Sequence, residues 1–199
     1  MIQKIIENTV GIKANMLFSL CKHSVSKYVN LDYEGLEFTD DIGKHFASKA
    51  KAEGESLPKT YDLILIDAEN ELKIVDKALK FALKKVGKEG VVVLANSLPP
   101  NRNKYVTPKR RPGNWYGEVW KVVTNLHSNK GTDFVTFPIG NGYTIIAKRA
   151  NSIYIENPER IELSDYSKNR NQYARLVSAM ELREWYDDRT AETSDTQAS

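Results

Sequence analysis

The stretch that decides the fold is YDLILIDAENELKIVDKALKFALKKVGKEGVVVLA, Tyr61 to Ala95. YDLILID and VVVLA are short apolar runs, and such runs are typical of strands buried within a parallel sheet. Between them, apolar residues recur at three- and four-residue spacing, which predicts an amphipathic helix. Its buried face would hold Leu72, Val75, Leu79, Ala82, Leu83 and Val86. The stretch therefore predicts a βαβ unit with parallel strands.

Both ends of this unit continue into recognisable patterns. Lysines crowd the end of the helix, and Gly87 and Gly90 follow, which predicts its C-terminus there. A long Pro/Arg/Lys/Asn loop spans Ser97 to Asn114, and YGEVWKVVTNLHSN then predicts a helix. DFVTFPI and GYTIIAKR are joined by Gly140-Asn141-Gly142, a pattern typical of a β-hairpin. Upstream, SKYVNLDYE predicts a strand and DDIGKHFASKAKAEG a short helix.

The C-terminal part is more weakly patterned. RNQYARLVSAMELREWYDD predicts one helix, whose apolar face would hold Tyr173, Leu176, Val177, Met180 and Trp185. The expected fold class is α/β, with a mostly parallel sheet, an antiparallel C-terminal hairpin and an extra C-terminal helix. Residues 1–150 would form the α/β domain and 151–188 a helical extension. Residues 189–199, which are small and polar, would form a disordered tail.

Composition limits the classes of protein to consider. The 199 residues suffice for one domain with a full core, and the net charge of +3 is too small to argue for nucleic acid. No apolar run approaches the roughly 20 residues that cross a bilayer, and no secretion signal is evident. Cys21 is the only cysteine, so a reducing compartment is expected. The expected location is the cytoplasm, or a phage particle if the protein is a virion component, with no membrane association.

Several of these segments resemble the class I S-adenosylmethionine (SAM) methyltransferases, a Rossmann-like family. YDLILID, its helix and VVVLA look like that family's fourth and fifth strands, and the reversed last strand matches its order of elements. LPP at 98–100 and GNWYGEVWKVV at 113–123 are similar to a branch with a G-x-W-x-G-D-V-W-K motif, often found near sugar-modifying enzymes. TDDIGKHF at 39–46 resembles the T-S-D-x-F-F segment of the same branch. The resemblance spans about Tyr28 to Arg149.

Three departures from the family pattern bear on catalysis. The family's glycine-rich turn after strand one lets the backbone approach the cofactor, but NMLFSLCKHSVSKY contains no glycine. The branch ends its fourth strand as I-D-G-x-H, whereas this chain has IDAEN at 66–70. A His-Asp pair ends the branch's fifth strand, where this chain has Ala95 and Asn96. His-Asp can bind a metal or relay a proton, and Ala-Asn does neither.

The resemblance also implies positions for cofactor contacts. Asp32 or Glu34 would accept hydrogen bonds from the SAM ribose, or they form a solvated acidic turn. Asp67 and Glu69 would frame the cofactor at the end of strand four, or they are acids at a helix N-terminus. No metal site is expected, because the three histidines lie on separate elements without ligand spacing. No catalytic residue is identified.

The loop after VVVLA is the candidate contact for a substrate or partner. Its length favours a function, and its basic and aromatic residues suit an acidic or phosphorylated sugar, a nucleic acid strand or a protein surface. These residues are Arg102, Lys104, Tyr105, Lys109, Arg110, Arg111 and Trp115.

Two hypotheses of different class follow. The first is a degenerate methyltransferase-like module without cofactor, a pseudoenzyme that serves as a structural or interaction component in a larger assembly. A protein partner or homo-oligomer is then expected. Proteins of this kind are expected in phage or polysaccharide gene clusters. The second is an active SAM-dependent methyltransferase acting on a sugar or other small acidic substrate. A weaker third hypothesis is a nucleic-acid-binding module that uses the basic loop.

Overall fold

The computed structural model describes residues 17–21, 61–67, 71–99 and 117–195. Its five strands form one sheet in the order β1-β2-β3-β5-β4. The strands are β1 (Leu17–Cys21), β2 (Tyr61–Asp67), β3 (Val86–Ala95), β4 (Asp133–Phe137) and β5 (Tyr143–Ala147). The strand predicted over SKYVNLDYE and the helix over DDIGKHFASKAKAEG lie outside the described residues.

The described sheet is mixed rather than mostly parallel. β1 pairs with β2 and β2 with β3 in parallel, whereas β5 pairs antiparallel with both β3 and β4. Strand β4 therefore points in the same direction as β1, β2 and β3, and β5 alone is reversed among the described strands. The expected hairpin is confirmed, and its return strand inserts between β3 and β4.

Helix α1 (Leu72–Lys85) connects β2 to β3 and confirms the βαβ unit. Val75, Leu79 and Ala82 are buried as expected, and Ala78 joins them. The predicted C-terminus is confirmed, because the helix ends at Lys85 with Lys84 in the same last turn, but the expected glycine cap is not used. The helix stops at Val86, whose backbone is extended (φ −69°, ψ 138°) and which is already the first residue of β3. Because the chain passes directly from helix to strand, no left-handed glycine is needed to end the helix.

Helix α2 (Val119–Asn125) and a following turn of 3-10 helix (Leu126–Ser128) cover the same face of the sheet as α1. The predicted apolar face of this segment is confirmed, with Val119, Val122, Val123 and Leu126 buried. The hairpin turn has positive φ at Gly140 (58°) and Gly142 (79°), which glycine adopts without steric cost.

The C-terminal part is where the prediction of one helix is wrong. It contains a 3-10 turn (Pro158–Arg160), α3 (Leu163–Lys168), α4 (Arg170–Ala174) and α5 (Ala179–Asp195). Arg175 breaks the predicted helix with a φ of 52°. Residues 175–177 then lie along β4, where Thr136 N–H donates to Arg175 O at 2.9 Å and Val177 N–H donates to Thr136 O at 3.0 Å. Met180, expected on the apolar face, is 69% exposed.

The two faces of the sheet are buried by different parts of the chain. Ile64, Val92 and Ile146 pack under α1 and α2, whereas Val93 and Ile145 pack with Leu182 and Trp185 of α5. Helix α5 thus belongs to the core although it lies beyond residue 150. It continues to Asp195, into the segment expected to be a disordered tail. No helix in the described ranges has the length and apolar character to cross a membrane.

Candidate functional site

The carboxyl ends of three parallel strands form one edge of the sheet. Cys21, the last residue of β1, is in register with Asp67, the last residue of β2. Ile66 is in register with Leu94, so β3 ends at the same level one residue later, at Ala95. Open α/β sheets bind ligands outside this edge. The described strands therefore place Asp67 at this edge, and its predicted role in cofactor binding stays a prediction.

All the other predicted site residues lie outside the described residues. This holds for Asp32, Glu34 and Glu69, and for the whole set predicted on the basic loop: Arg102, Lys104, Tyr105, Lys109, Arg110, Arg111 and Trp115. Their roles remain predictions. The site can be built from the segment that follows β3, from α2 and from the C-terminal helices.

The chain leaves β3 through a tight turn that is fixed by the β4–β5 hairpin. Asn96 has a φ of 56°, and its side-chain oxygen accepts a hydrogen bond from Asn141 Nδ2 at 3.3 Å. Ser97 N–H donates to Gly142 O at 3.3 Å, and Leu98 N–H donates to Asn141 O at 2.8 Å. The hairpin turn therefore fixes the position of Asn96 and Ser97 at the carboxyl-end edge of the sheet.

Gly142 makes this contact possible, and replacing it tests the arrangement. A Cβ on Gly142 would overlap the Leu98 Cβ and lie 3.0 Å from the Leu98 nitrogen, and the φ of +79° would be strained as well. We expect Gly142→Ala to reduce the free energy of unfolding by about 2–3 kcal/mol, measured by urea denaturation. Gly140→Ala is the matched control.

Gly140 shares the positive φ but has open space around its Cβ position. Gly140→Ala should therefore lower stability by only about 1 kcal/mol, through backbone strain alone. Equal effects of the two substitutions would contradict a close approach of the hairpin to Leu98.

Beneath this turn lies an aromatic cluster that joins α2 to the C-terminal helices. Leu98, Trp120, Tyr166 and Ala174 are buried together. The Trp120 and Tyr166 rings are tilted, with centroids 4.9 Å apart, and Tyr173 stacks on Tyr166 at 6.5 Å. Trp120 belongs to the WYGEVWK segment that carries the resemblance, so this tryptophan has a packing role here.

Arg170 links the cluster to the turn after β3. Its Nη2 donates to Pro99 O at 2.7 Å and to Leu98 O at 3.3 Å. Burial raises the pKa of Tyr166 to about 12, although the charge of the Arg170 guanidinium and its hydrogen bond to the phenol oppose this rise. The Tyr166 phenol is therefore a neutral hydrogen-bond donor at neutral pH.

A buried charge network that the sequence did not indicate lies at the opposite edge, where β4 begins. Asp133 is 1% exposed, and its Oδ2 accepts from Arg149 Nε at 2.9 Å and from Trp185 Nε1 at 2.7 Å. Its Oδ1 accepts from Arg175 Nη1 and from Ser152 Oγ. Arg149 also lies over the Trp185 ring, 4.5 Å from the centroid. This carboxylate joins the hairpin to residues 175–185.

The pKa of Asp133 reflects two opposing effects, burial of the carboxylate and its hydrogen bonds and ion pairs. Burial by itself raises the pKa, but the hydrogen bond and charge of Arg175 and the hydrogen bonds from Trp185 and Arg149 lower it. The second group of effects is larger, so the pKa lies below its ordinary value. Asp133 is ionised at neutral pH, and its contacts are structural.

His127, the one histidine within the described residues, is fully buried. Its Nδ1 lies 3.1 Å from Ile153 O and its Nε2 lies 2.9 Å from Tyr173 O. Both ring nitrogens are therefore used within the fold, where they link three separate segments. No group of three His, Cys, Asp or Glu residues suited to a metal ion occurs in the described ranges.

No protein-family model and no curated protein sequence matches this chain. Similar solved structures include the SAH-bound methyltransferase PaMTH1 of Podospora anserina, at 16% identity and a TM-score of 0.47, covering 73% of this chain and 76% of that one. Another is the SAM-bound O-methyltransferase TomG of Streptomyces achromogenes, involved in tomaymycin synthesis, at 13% identity and a TM-score of 0.41, covering 74% and 77%.

An O-methyltransferase family protein of Burkholderia thailandensis is similar at 11% identity and a TM-score of 0.41, covering 75% of this chain and 56% of that one. These similarities are too low to assign this chain to a family.

Proposed function

We propose that this chain is a methyltransferase-like domain that does not catalyse SAM-dependent transfer and that serves as an interaction component of a larger assembly. The observation that carries the proposal is the environment of Asn96. This residue follows β3 directly, at the edge where the resemblance implies a His-Asp pair.

An amide in this position supplies no acid or base, because it neither gains nor loses a proton near neutral pH. The Asn96 oxygen accepts a hydrogen bond from Asn141, and the backbone of the next two residues bonds the same hairpin turn. This residue therefore serves to hold the hairpin against the end of β3. A structural role for Asn96 fits a domain that keeps the methyltransferase-like fold but has lost catalysis.

An interaction role suits the exposed side chains of the C-terminal part. Met180 and Tyr154 are 69% and 52% exposed, and methionine and tyrosine are enriched at protein interfaces. Both residues lie on a C-terminal segment that is firmly attached to the sheet through Asp133 and Trp185. Exposed interface residues on a segment that is bonded to the sheet are suited to docking.

An active SAM-dependent methyltransferase is the second candidate, favoured by Asp67. This acid ends strand β2 in register with the end of β1, at the edge of the sheet where a carboxylate can contact an adenosyl group. Methyl transfer can proceed mainly through proximity and orientation, so a general base is not essential.

Thermal denaturation with SAM or S-adenosylhomocysteine separates the two candidates. A ligand that binds only the folded state, at about 100 times its dissociation constant, adds about 2.7 kcal/mol to the free energy of unfolding. We expect no change in Tm at millimolar concentrations of either compound, with an active class I methyltransferase as a positive control. A rise at sub-millimolar ligand that Asp67→Asn abolishes would establish binding at the sheet edge and reject the non-catalytic proposal.

A further inference from the structure

The solvent-facing side of helix α1 carries a row of lysine side chains. Lys73, Lys77, Lys80 and Lys84 follow one another at spacings of four, three and four residues, and all four are exposed. At 3.6 residues per turn, these spacings place the four side chains within about 60° of one another around the helix axis, in a row about 16 Å long. Ala82 and the rest of the buried face of α1 lie on the opposite side. This lysine row therefore points away from the sheet.

Few acidic side chains neutralise the lysine row. Lys80 Nζ lies 2.6 Å from Asp76 Oδ2, and both side chains are exposed to solvent. Within the residues that the structure describes, Lys73, Lys77 and Lys84 have no carboxylate at ion-pair distance. Helix α1 contains five lysines against one aspartate, which gives its side chains a net charge of +4.

A row of like charges opposes the formation of the helix that carries it. Positive side chains three or four residues apart repel each other and destabilise a helix. Acidic and basic residues in alternation would keep this face equally polar and would stabilise the helix through ion pairs. Binding of a polyanion relieves the repulsion, so the lysine row favours a partner with several negative charges.

The type and spacing of the side chains favour phosphate groups along a nucleic acid strand. A lysine ammonium group is a compact point charge that contacts phosphate without reading the bases. At a rise of about 3.4 Å per nucleotide along one strand, the row of about 16 Å spans about five phosphates. A linear series of phosphates can therefore contact all four lysines at once.

A membrane surface suits the lysine row less well. Helices that bind membranes bury an apolar face among the lipids, but the apolar face of α1 is already buried against the sheet. The exposed large apolar side chains of the described residues lie on other segments: Ile139, Ile153, Tyr154 and Met180. A lipid surface would thus be held by charge alone.

We propose that the lysine row of α1 binds the phosphodiester backbone of a nucleic acid strand without selecting its bases. The chain's net charge of +3 includes acidic residues on other segments, whereas affinity for phosphates depends on the charges at the contact. Because the row lies on the outer side of α1, its binding does not depend on a cofactor. The proposal therefore holds for a catalytic or a non-catalytic domain.

The test compares the full chain with variants that remove positive charges from the row. The double variant is Lys77→Gln with Lys84→Gln, and the quadruple variant adds Lys73→Gln and Lys80→Gln. Glutamine is nearly as favourable in a helix as lysine, so the fold should be kept.

A second double variant, Lys130→Gln with Lys168→Gln, is the charge-matched control, because both lysines are exposed on other segments. The probes are a fluorescein-labelled oligothymidylate of about 20 nucleotides and a DNA duplex of similar length. Fluorescence anisotropy measures affinity at several concentrations of sodium chloride.

Four phosphate contacts predict a slope of about −3 for log K against log salt with the single strand, or about a 60-fold loss of affinity between about 50 and 200 mM salt. The double variant should make the slope shallower by about 1.4 and the quadruple variant by about 2.8. The control variant should keep the slope of the parent. A preference between the two probes identifies the form of nucleic acid that the row binds.

Four results would overturn the proposal. The first is no binding of either oligonucleotide at about 50 mM salt, and the second is an unchanged slope in the quadruple variant, which would assign binding to other basic residues. The third is an equal change in the control variant. The fourth is tighter binding to polyglutamate or to phosphatidylserine vesicles, which would assign the row to an acidic protein or a lipid surface.

Urea denaturation separates binding from a structural role of the lysines. Without nucleic acid, the quadruple variant should be as stable as the parent or more so, because the repulsion along α1 is removed. A clear loss of stability would show that the lysines are kept for the fold and would also contradict the proposal.

Discussion

Asp133→Asn is expected to reduce the free energy of unfolding by about 3–5 kcal/mol, because it leaves two partly buried guanidinium groups without a counter-charge. Arg149 and Arg175 are 14% and 11% exposed, so water cannot replace the lost carboxylate fully. Urea denaturation at neutral pH measures the loss. Glu159→Gln, at an exposed acid on the 3-10 turn, is the control and should change stability by less than about 0.5 kcal/mol.

The same carboxylate gives stability a defined dependence on pH. The pKa of Asp133 is lower in the folded state than the value of about 3.9 expected in the unfolded chain. The unfolded state therefore binds the proton first, and the Asp133 contribution is present in full above about pH 4. It is lost as the pH falls through the folded-state pKa. The difference between parent and Asp133→Asn should shrink in that acid range; a difference that is constant with pH would contradict the ionised network.

Trp185→Ala is expected to cost about 3–5 kcal/mol, because it removes a large side chain from the face of the sheet that α5 covers. Trp185 is 8% exposed, packs near Val93 and Ile145, and donates to Asp133. A loss of this size would show that residues beyond 150 unfold cooperatively with the sheet. The measurement is a single urea transition followed by fluorescence and circular dichroism.

Trp185→Phe is the matched variant, because it keeps an aromatic ring and loses the hydrogen bond to Asp133. A loss of about 1.5–3 kcal/mol is expected, as for hydrogen bonds to charged groups. Since Trp185 and Asp133 share this bond, the stability losses of Trp185→Phe and Asp133→Asn should not add. A double-mutant cycle measures the coupling free energy between them. Unfolding of α5 in a separate, earlier transition would show that the C-terminal extension is an independent segment.

Local patterns predicted the centre of the fold well. The period of the apolar residues in α1 and the continuous apolar runs of β2 and β3 depend on neighbours in sequence, and the hairpin depends on Gly140 and Gly142. The break at Arg175 has a different origin. Its side chain bonds Asp133, 42 residues earlier, and the backbone there pairs with Thr136. Contacts so distant in sequence leave no periodic signal.

The C-terminal region does carry one local signal for its division into separate helices. Ser178 and Glu181 form a capping box, in which Ser178 N–H donates to Glu181 Oε2 at 2.7 Å and Glu181 N–H donates to Ser178 Oγ at 3.3 Å. Ser-x-x-Glu marks a helix start, and here it marks the start of α5. The prediction of one continuous helix overlooked this pattern, which is local in sequence and separates α4 from α5.

The candidate site was predictable only in part. Asp67 was identified because an acid at the end of an apolar strand has a known position in α/β sheets. The aromatic cluster was not, because Tyr166 and Tyr173 join Trp120 only through the packing of α2 against α3 and α4. Scattered tyrosine, arginine and tryptophan residues have no spacing that reveals such a meeting.

The short segment 175–177 has a consequence for how the protein behaves in solution. By hydrogen bonding with Thr136, it occupies part of the outer backbone of β4, the last strand of the described sheet on that side. Outer strands left bare act as templates on which other chains add, leading to aggregates or exchanged segments. A truncation that removes residues 175–177 together with α5 would leave the outer backbone groups of β4 unpaired. We expect such a truncated protein to self-associate through this strand.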